Sequence, residues 1–275
     1  QGFDQAWMDE FKGLMTPRPA WLEGIVFGPQ QRVSVEELRG LLPAGTPVRF
    51  YPDITHTMNC QYPVPQWDYA FQATLNREPI NPRPLDQAAI FRRVQPANDH
   101  GVLTYSEGCN DDVNKCIWSA LAWAPETDAA DILRDYSRYF IGSNLTEEFA
   151  QGLFALERNW RGPLATNAGV NVTLAQFQAM ERAATPAQLR NWRFQQALYR
   201  AYYDAAVRAR LLDESRIDPV DIEIARRTRE AILLHRAARD NPEMAVDALL
   251  AERGEVGEGA VARLARGRQR LYRCR

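Results

Sequence analysis

Two hydrophobic periods alternate along the first part of this chain, and one of them stops before its middle. Phe3, Trp7, Phe11 and Leu14 recur at helical spacing, which predicts a first helix ending before Pro17 and Pro19. Ile25-Val-Phe27 is a short apolar run between Gly24 and Gly28 and predicts a buried strand. Ser34 followed by Glu37 three residues on is the signature of a capped short helix. Val48-Arg-Phe-Tyr51 predicts a second strand, Leu85 to Val94 a helix, Gly101-Val-Leu-Thr-Tyr105 a third strand, and Val113 to Trp123 a helix. Between Thr57 and Pro84 lies a polar, aromatic stretch carrying Pro63, Pro65, Pro79, Pro82 and Pro84. Connections of that length inside a compact domain usually serve as functional loops or lids.

Alternating helices and strands predict a parallel sheet with right-handed crossovers. Three strands make a poor sheet alone but a good last portion of an eight-stranded barrel, whose earlier strands would precede Gln1. After Pro125 the strand signals end. Asp128 to Tyr139, Leu145 to Trp160, Leu174 to Ala184, Pro186 to Leu212 and Pro219 to Ala238 all have helical periodicity, with Thr185-Pro186 and Asp218-Pro219 as starts. The expected fold class is therefore α/β: a partial (β/α)8 barrel, the last three βα units, in residues 1–125, followed by an all-α helical bundle in 126–275. Trp160, Trp192, Phe194, Tyr199, Tyr202 and Tyr203 are expected to fill much of that bundle.

Composition narrows the function. The 275 residues are 45% hydrophobic, enough for a sizeable core. With 33 basic against 35 acidic residues the chain lacks the positive footprint of a nucleic-acid binder, and no nucleic-acid partner is expected. No apolar run approaches the ~20 residues that span a bilayer, so no membrane partner is expected either. Lys12 and Lys115 are the only lysines; the arginine excess reads as the coding bias of a GC-rich, bacterial genome. Arg226 to Arg275 holds twelve arginines against seven acidic residues, which reads as a solvated helix face, with an anionic partner as the alternative. Cys60, Cys109, Cys116 and Cys274 show no CxxC spacing, and free thiols are expected, a Cys60–Cys109 bridge being the alternative. The start at Gln1 carries no leader pattern, which leaves a periplasmic or secreted location and a cytoplasmic one both open. Homo-oligomerisation also stays open.

Chemistry is sought where strands end, because barrel enzymes gather reactive side chains on the C-terminal face. The second strand is followed by Asp53 and His56, the third by Glu107, Asn110, Asp111 and Asp112. Glu107 and Asp53 are the catalytic candidates: two carboxylates with pKa values pushed apart supply an acid and a base or nucleophile. The alternative is that each caps a helix or binds loop amides. His56, Tyr51, Trp67, Tyr105, Asn110, Asp111, Asp112 and Lys115 are the substrate-contact candidates. Asp53 could orient His56 as a base, although a histidine beside a loop often just binds backbone. Asp111 and Asp112 favour a helix N-terminus, and Lys115 lies one turn from Asp111. Tyr62, Trp67, Tyr69 and Phe71 either stack on sugar rings or seal the lid, while Trp118 and Trp123 are assigned to core. Without HxH, HExxH or a cysteine cluster, no metal and no cofactor are expected. GxSxG and phosphate-loop patterns are missing too.

The run Tyr105-Ser-Glu-Gly-Cys-Asn-Asp-Asp-Val-Asn-Lys-Cys-Ile-Trp-Ser-Ala-Leu-Ala-Trp-Ala-Pro125, followed by a helix ending in Arg138-Tyr-Phe-Ile-Gly142, resembles a particular junction. It is similar to the exit of the last barrel strand into the helical domain of hexosaminidase-like glycoside hydrolases, the α-N-acetylglucosaminidases and O-GlcNAc hydrolase or hyaluronidase-like enzymes among them. In them a Trp-x-Pro turn, here Trp123-Ala-Pro125, closes the barrel. The resemblance covers Trp21 to Gly142 as a pattern and implies carbohydrate as substrate and a glycosidic bond as target. Those enzymes carry their paired acids on earlier strands, so Asp111-Asp112 does not inherit that role. A non-catalytic carbohydrate-binding or interaction module, and a barrel lyase or isomerase using Asp53 and His56, are the alternatives.

Overall fold

The computed structural model describes residues 4–30 and 33–215, together with Glu223 and Arg227. The chain divides into two compact units, Gln1–Leu212 and Asp213–Arg275. The expected helix at Pro219 to Ala238 and the arginine-rich end lie outside the described residues, apart from helical Glu223 and Arg227, which pair at 2.8 Å.

The first unit is helix-rich with a small parallel sheet. Its helices are α1 (Gln5–Leu14), α2 (Val35–Leu41), α3 (Tyr69–Thr74), α4 (Pro84–Val94), α5 (Asp112–Trp123), α6 (Ala129–Phe140), α7 (Thr146–Asn159), α8 (Gly169–Ala183), α9 (Pro186–Leu189) and α10 (Trp192–Glu214), the last extending past Leu212. The sheet pairs β1 (Ile25–Phe27) with β2 (Val48–Phe50), Phe27 facing Phe50 in register. Local chemistry accounts for several ends. Ser34 and Glu37 form the full capping box of α2, Asp4, Asp68 and Asp128 cap α1, α3 and α6, and Thr185 with Gln188 forms a second box at α9.

Three expectations change. Gly101 to Tyr105 does not form a third strand; it meets the sheet in one parallel bridge, Asp53 to Tyr105. The reason is visible on the free edge of β2. Asn98 Oδ1 accepts from Phe50 N at 2.5 Å and Asp99 Oδ2 from Val48 N at 2.7 Å, so side chains take the bonds a neighbouring strand would have made. The run Ile25 to Phe27 is not buried throughout, since Val26 is 60% exposed while Phe27 is covered. Trp123, assigned to core, ends α5 fully in solvent, and Trp192, Tyr199 and Tyr202 are exposed on α10.

The change of character at Pro125 is not a break in the core. One apolar cluster joins Phe27, Val48, Phe50, Phe91 and Trp118 to Leu133, Phe149, Phe177 and Phe194. Glu157 of α7, fully buried, accepts from Leu85 N at 2.7 Å and Asp86 N at 2.9 Å, capping α4 from across the interface. Arg83, at the N-cap of α4, makes no side-chain cap of its own. A second cluster centres on Trp160, with Arg200 stacked 3.3 Å from its ring and paired to the equally buried Asp204 at 2.8 Å.

Candidate functional site

Beyond β2 the chain runs Tyr51-Pro-Asp53-Ile-Thr-His56-Thr57, and residues 52–57 are all buried. A polar segment survives there because the side chains of Asp53, Thr55, His56 and Thr57 are all hydrogen-bonded. Asp53 Oδ1 accepts from Thr55 N at 2.9 Å and His56 N at 3.1 Å, a local turn that aspartate favours. Asn81 donates to the Thr55 carbonyl at 2.9 Å, and Asn114 of α5 donates to the carbonyls of Ile54 and Asn81. Asn114 also accepts from Arg83 N at 2.9 Å, so one buried amide joins the strand exit, the long loop and α5.

His56 is the centre of the arrangement. Its Nδ1 lies 2.7 Å from Asp53 Oδ2 and its Nε2 3.1 Å from Glu78 Oε1 and 3.7 Å from Glu107 Oε1. The imidazole is 5% exposed, as is Asp53, whereas Glu78 and Glu107 are 42% and 32% exposed and face outward. The Tyr105 hydroxyl donates to Glu107 Oε1. That bond, with Glu78, His56 and Arg77 adding to it, holds the Glu107 carboxyl below the usual carboxylate range, and the same bond raises the Tyr105 phenol. Glu107 N donates to Thr55 Oγ1 at 3.1 Å, pinning the loop after Tyr105 to the strand exit.

Asp53, His56, Tyr105 and Glu107 line a cavity of about 650 Å³ together with Phe27, Phe50, Cys60, Tyr62, Arg77 and Arg93. The volume suits a small ligand. Burial, with the Asp53 charge, pushes the Cys60 thiol up, away from the reactive thiolate. Cys60, Cys109 and Cys116 are free thiols, and Cys274 lies outside the described residues.

The other candidates separate. Asp111 is buried, accepting from the Thr55 and Ser106 hydroxyls and lying 3.6 Å from Lys115 Nζ, so it supports the site from beneath instead of capping α5. Asn110 donates to the Glu78 carbonyl at 2.8 Å and positions that loop. Lys115 donates to the Gly108 carbonyl at 2.5 Å. Asp112 points elsewhere, to Arg193 at 2.8 Å and the Tyr136 hydroxyl at 2.8 Å. Tyr51 packs over Gly28, close enough that a β-carbon there would overlap its ring. Trp67 leaves the mouth altogether: it is buried 5.1 Å from the Trp160 ring, with Phe71 alongside, because the lid hides its aromatic side chains against the helices. Tyr69 is exposed, and Tyr62 alone of that set lines the cavity.

Sequence reading missed Glu78, which lies in the loop between α3 and α4, far from any strand end. Its only local signal is the polar run Asn76-Arg-Glu78 before Pro79. It missed Asn81 and Asn114 as well, since an asparagine carries no sign of burial. No protein family, curated protein or solved structure matches the chain.

Proposed function

We propose that this chain contributes to a carbohydrate-active site that hydrolyses a glycosidic bond, the substrate class implied by the hexosaminidase-like enzymes its sequence resembles. The observation that carries the reading is Glu107, a carboxylate kept ionised by Tyr105 and held over an open cavity beside His56. An ionised carboxylate serves as base, nucleophile or acceptor for a sugar hydroxyl. Glu78 supplies the second carboxylate, within 4.8 Å of the same ligand atoms. Asp53 then has a positioning role: both its oxygens are committed, one to His56 and one to backbone amides. The parallel pairing of β1 with β2 and the parallel bridge from Asp53 to Tyr105 are the features that support a barrel-like origin for this part of the chain.

The test is Glu107→Gln in the full-length protein, assayed on aryl N-acetylhexosaminides and other aryl glycosides. Turnover is expected to fall by about 10²-fold or more. Unchanged turnover removes Glu107 from the chemistry. A wild-type protein that binds sugar without releasing the aryl group, and an E107Q variant that binds equally well, would make this a binding module instead.

A further inference from the structure

We propose that His56, Glu78 and Glu107 together form a binding site for a divalent transition cation, with Zn²⁺ the best match to the donor set. Each offers one ligand atom, His56 Nε2 and a carboxylate oxygen from each glutamate, and all three atoms lie within 4.8 Å of one another.

The spacing accommodates a cation. Charge-assisted N–H···O bonds run to ~2.7–2.9 Å, and the Asp53 side of the ring obeys this at 2.7 Å. On the other side Nε2 lies 3.1 Å from Glu78, a longer hydrogen bond, and 3.7 Å from Glu107, beyond hydrogen-bond reach. Metal–ligand bonds of ~2.0–2.2 Å at the tetrahedral angle place donor atoms roughly 3.3–3.6 Å apart, and the two observed distances bracket that value. Charge points the same way, since carboxylates approach the imidazole from both sides.

The surroundings also match what holds a metal ligand in place. A ligating histidine commonly gives its other ring nitrogen to a carboxylate that fixes tautomer and orientation. Asp53 does this for His56, and is itself fixed by two backbone amides. Tyr105 donates to Glu107, and Asn110 holds the Glu78 backbone at 2.8 Å. One imidazole with two carboxylates suits Zn²⁺ or Mn²⁺, whereas Mg²⁺ and Ca²⁺ prefer oxygen throughout. Because His56 and Glu107 line the cavity, the fourth position opens toward it, where a water or an incoming hydroxyl would bind. Sequence spacing hides such a site, as its ligands come from three separate loops.

The inference shares Glu78 and Glu107 with the glycoside reading, but the two are tested separately. Cation binding is measured without sugar, and turnover can be measured in chelator, so either can fail alone. The experiment is calorimetric titration of the chelator-treated full chain with ZnCl₂, then with MnCl₂, alongside thermal melts. One equivalent is expected to bind with a dissociation constant in the micromolar range or tighter, and to raise the melting temperature. Glu78→Gln, at a side chain 42% exposed and therefore safe for the fold, is expected to weaken binding by at least tenfold and abolish the thermal shift. Asp53→Asn, a positioning change, should weaken it by ~10–100-fold. No saturable binding below millimolar metal, or equal Zn²⁺ uptake by wild type and E78Q, would overturn the site.

Discussion

Glu157 joins the two halves of the first unit, and its removal should be felt in both. Its two carboxylate oxygens accept from Leu85 N at 2.7 Å and Asp86 N at 2.9 Å, the first amides of α4, and one also meets Arg161 at 2.8 Å. Glu157→Ala leaves both amides without their partner. A buried, unsatisfied amide costs ~1–3 kcal/mol. These two are part-buried, so about 1–1.5 kcal/mol each is appropriate, and losing the cap of α4 is the same loss counted from the helix side. Arg161 keeps Asp86 as a partner and adds little. The expected destabilisation is about 2–3 kcal/mol. Glu157→Gln keeps one acceptor and turns an amide against the other N–H, so about 1–2 kcal/mol is expected. Equilibrium urea unfolding by far-ultraviolet circular dichroism and tryptophan fluorescence gives the energies. Hydrogen exchange at Leu85 and Asp86 gives the local effect, which should quicken in both variants. An Ala variant within 0.5 kcal/mol of wild type (roughly the scatter of surface changes), or unaltered exchange at those amides, refutes the reasoning.

Two further outcomes follow from the sheet and the bundle. Asp99 accepts from Val48 N and Arg39, and these bonds, the amide first, hold its carboxyl below the ordinary value. A depressed folded pKa contributes stability above the unfolded pKa of ~3.9 that is lost as pH falls through the folded value. The stability gap between wild type and Asp99→Asn should therefore shrink between about pH 6 and about pH 3 in a urea series; a constant gap contradicts the assignment. In α7, a β-carbon at Gly152 would lie 2.9 Å from the Phe177 ring and 3.3 Å from Met180. Gly152→Val should cost about 2–3 kcal/mol by overpacking, whereas Gly152→Ala regains up to ~1 kcal/mol of helix propensity and costs less. Equal melting temperatures for the two variants would show that α8 gives way freely.

Local chemistry was legible in the sequence wherever the cause is local. The capping box at Ser34, the proline start at Thr185-Pro186, the strands at Ile25 and Val48 and the helices from α4 to α8 all follow from residues within a turn or two of one another. So did the concentration of polar side chains beyond β2 and after Tyr105, since apolar strands must end in something soluble. The lid was misjudged in part because composition does not say which way an aromatic ring turns: Trp67 and Phe71 found Trp160 and stayed dry. The third strand failed for a related reason. Asn98 and Asp99 precede it and hydrogen-bond β2 with their side chains, which a propensity reading of Val102 to Tyr105 does not include.

The candidate site divides along the same line. The sequence by itself put Asp53, His56 and Glu107 just beyond apolar runs, because the chain order of apolar runs and polar breaks dictates that much. Tertiary structure alone decided which of them do what. It tied up both oxygens of Asp53, gave Glu107 the Tyr105 hydroxyl and moved Trp67 and Asp112 away from the cavity. It also brought Glu78 to His56 from a loop 22 residues away. Those outcomes depend on long-range closure of the chain over Asn81 and Asn114, and an amide's partners are chosen by what the fold places beside it, not by its neighbours in sequence.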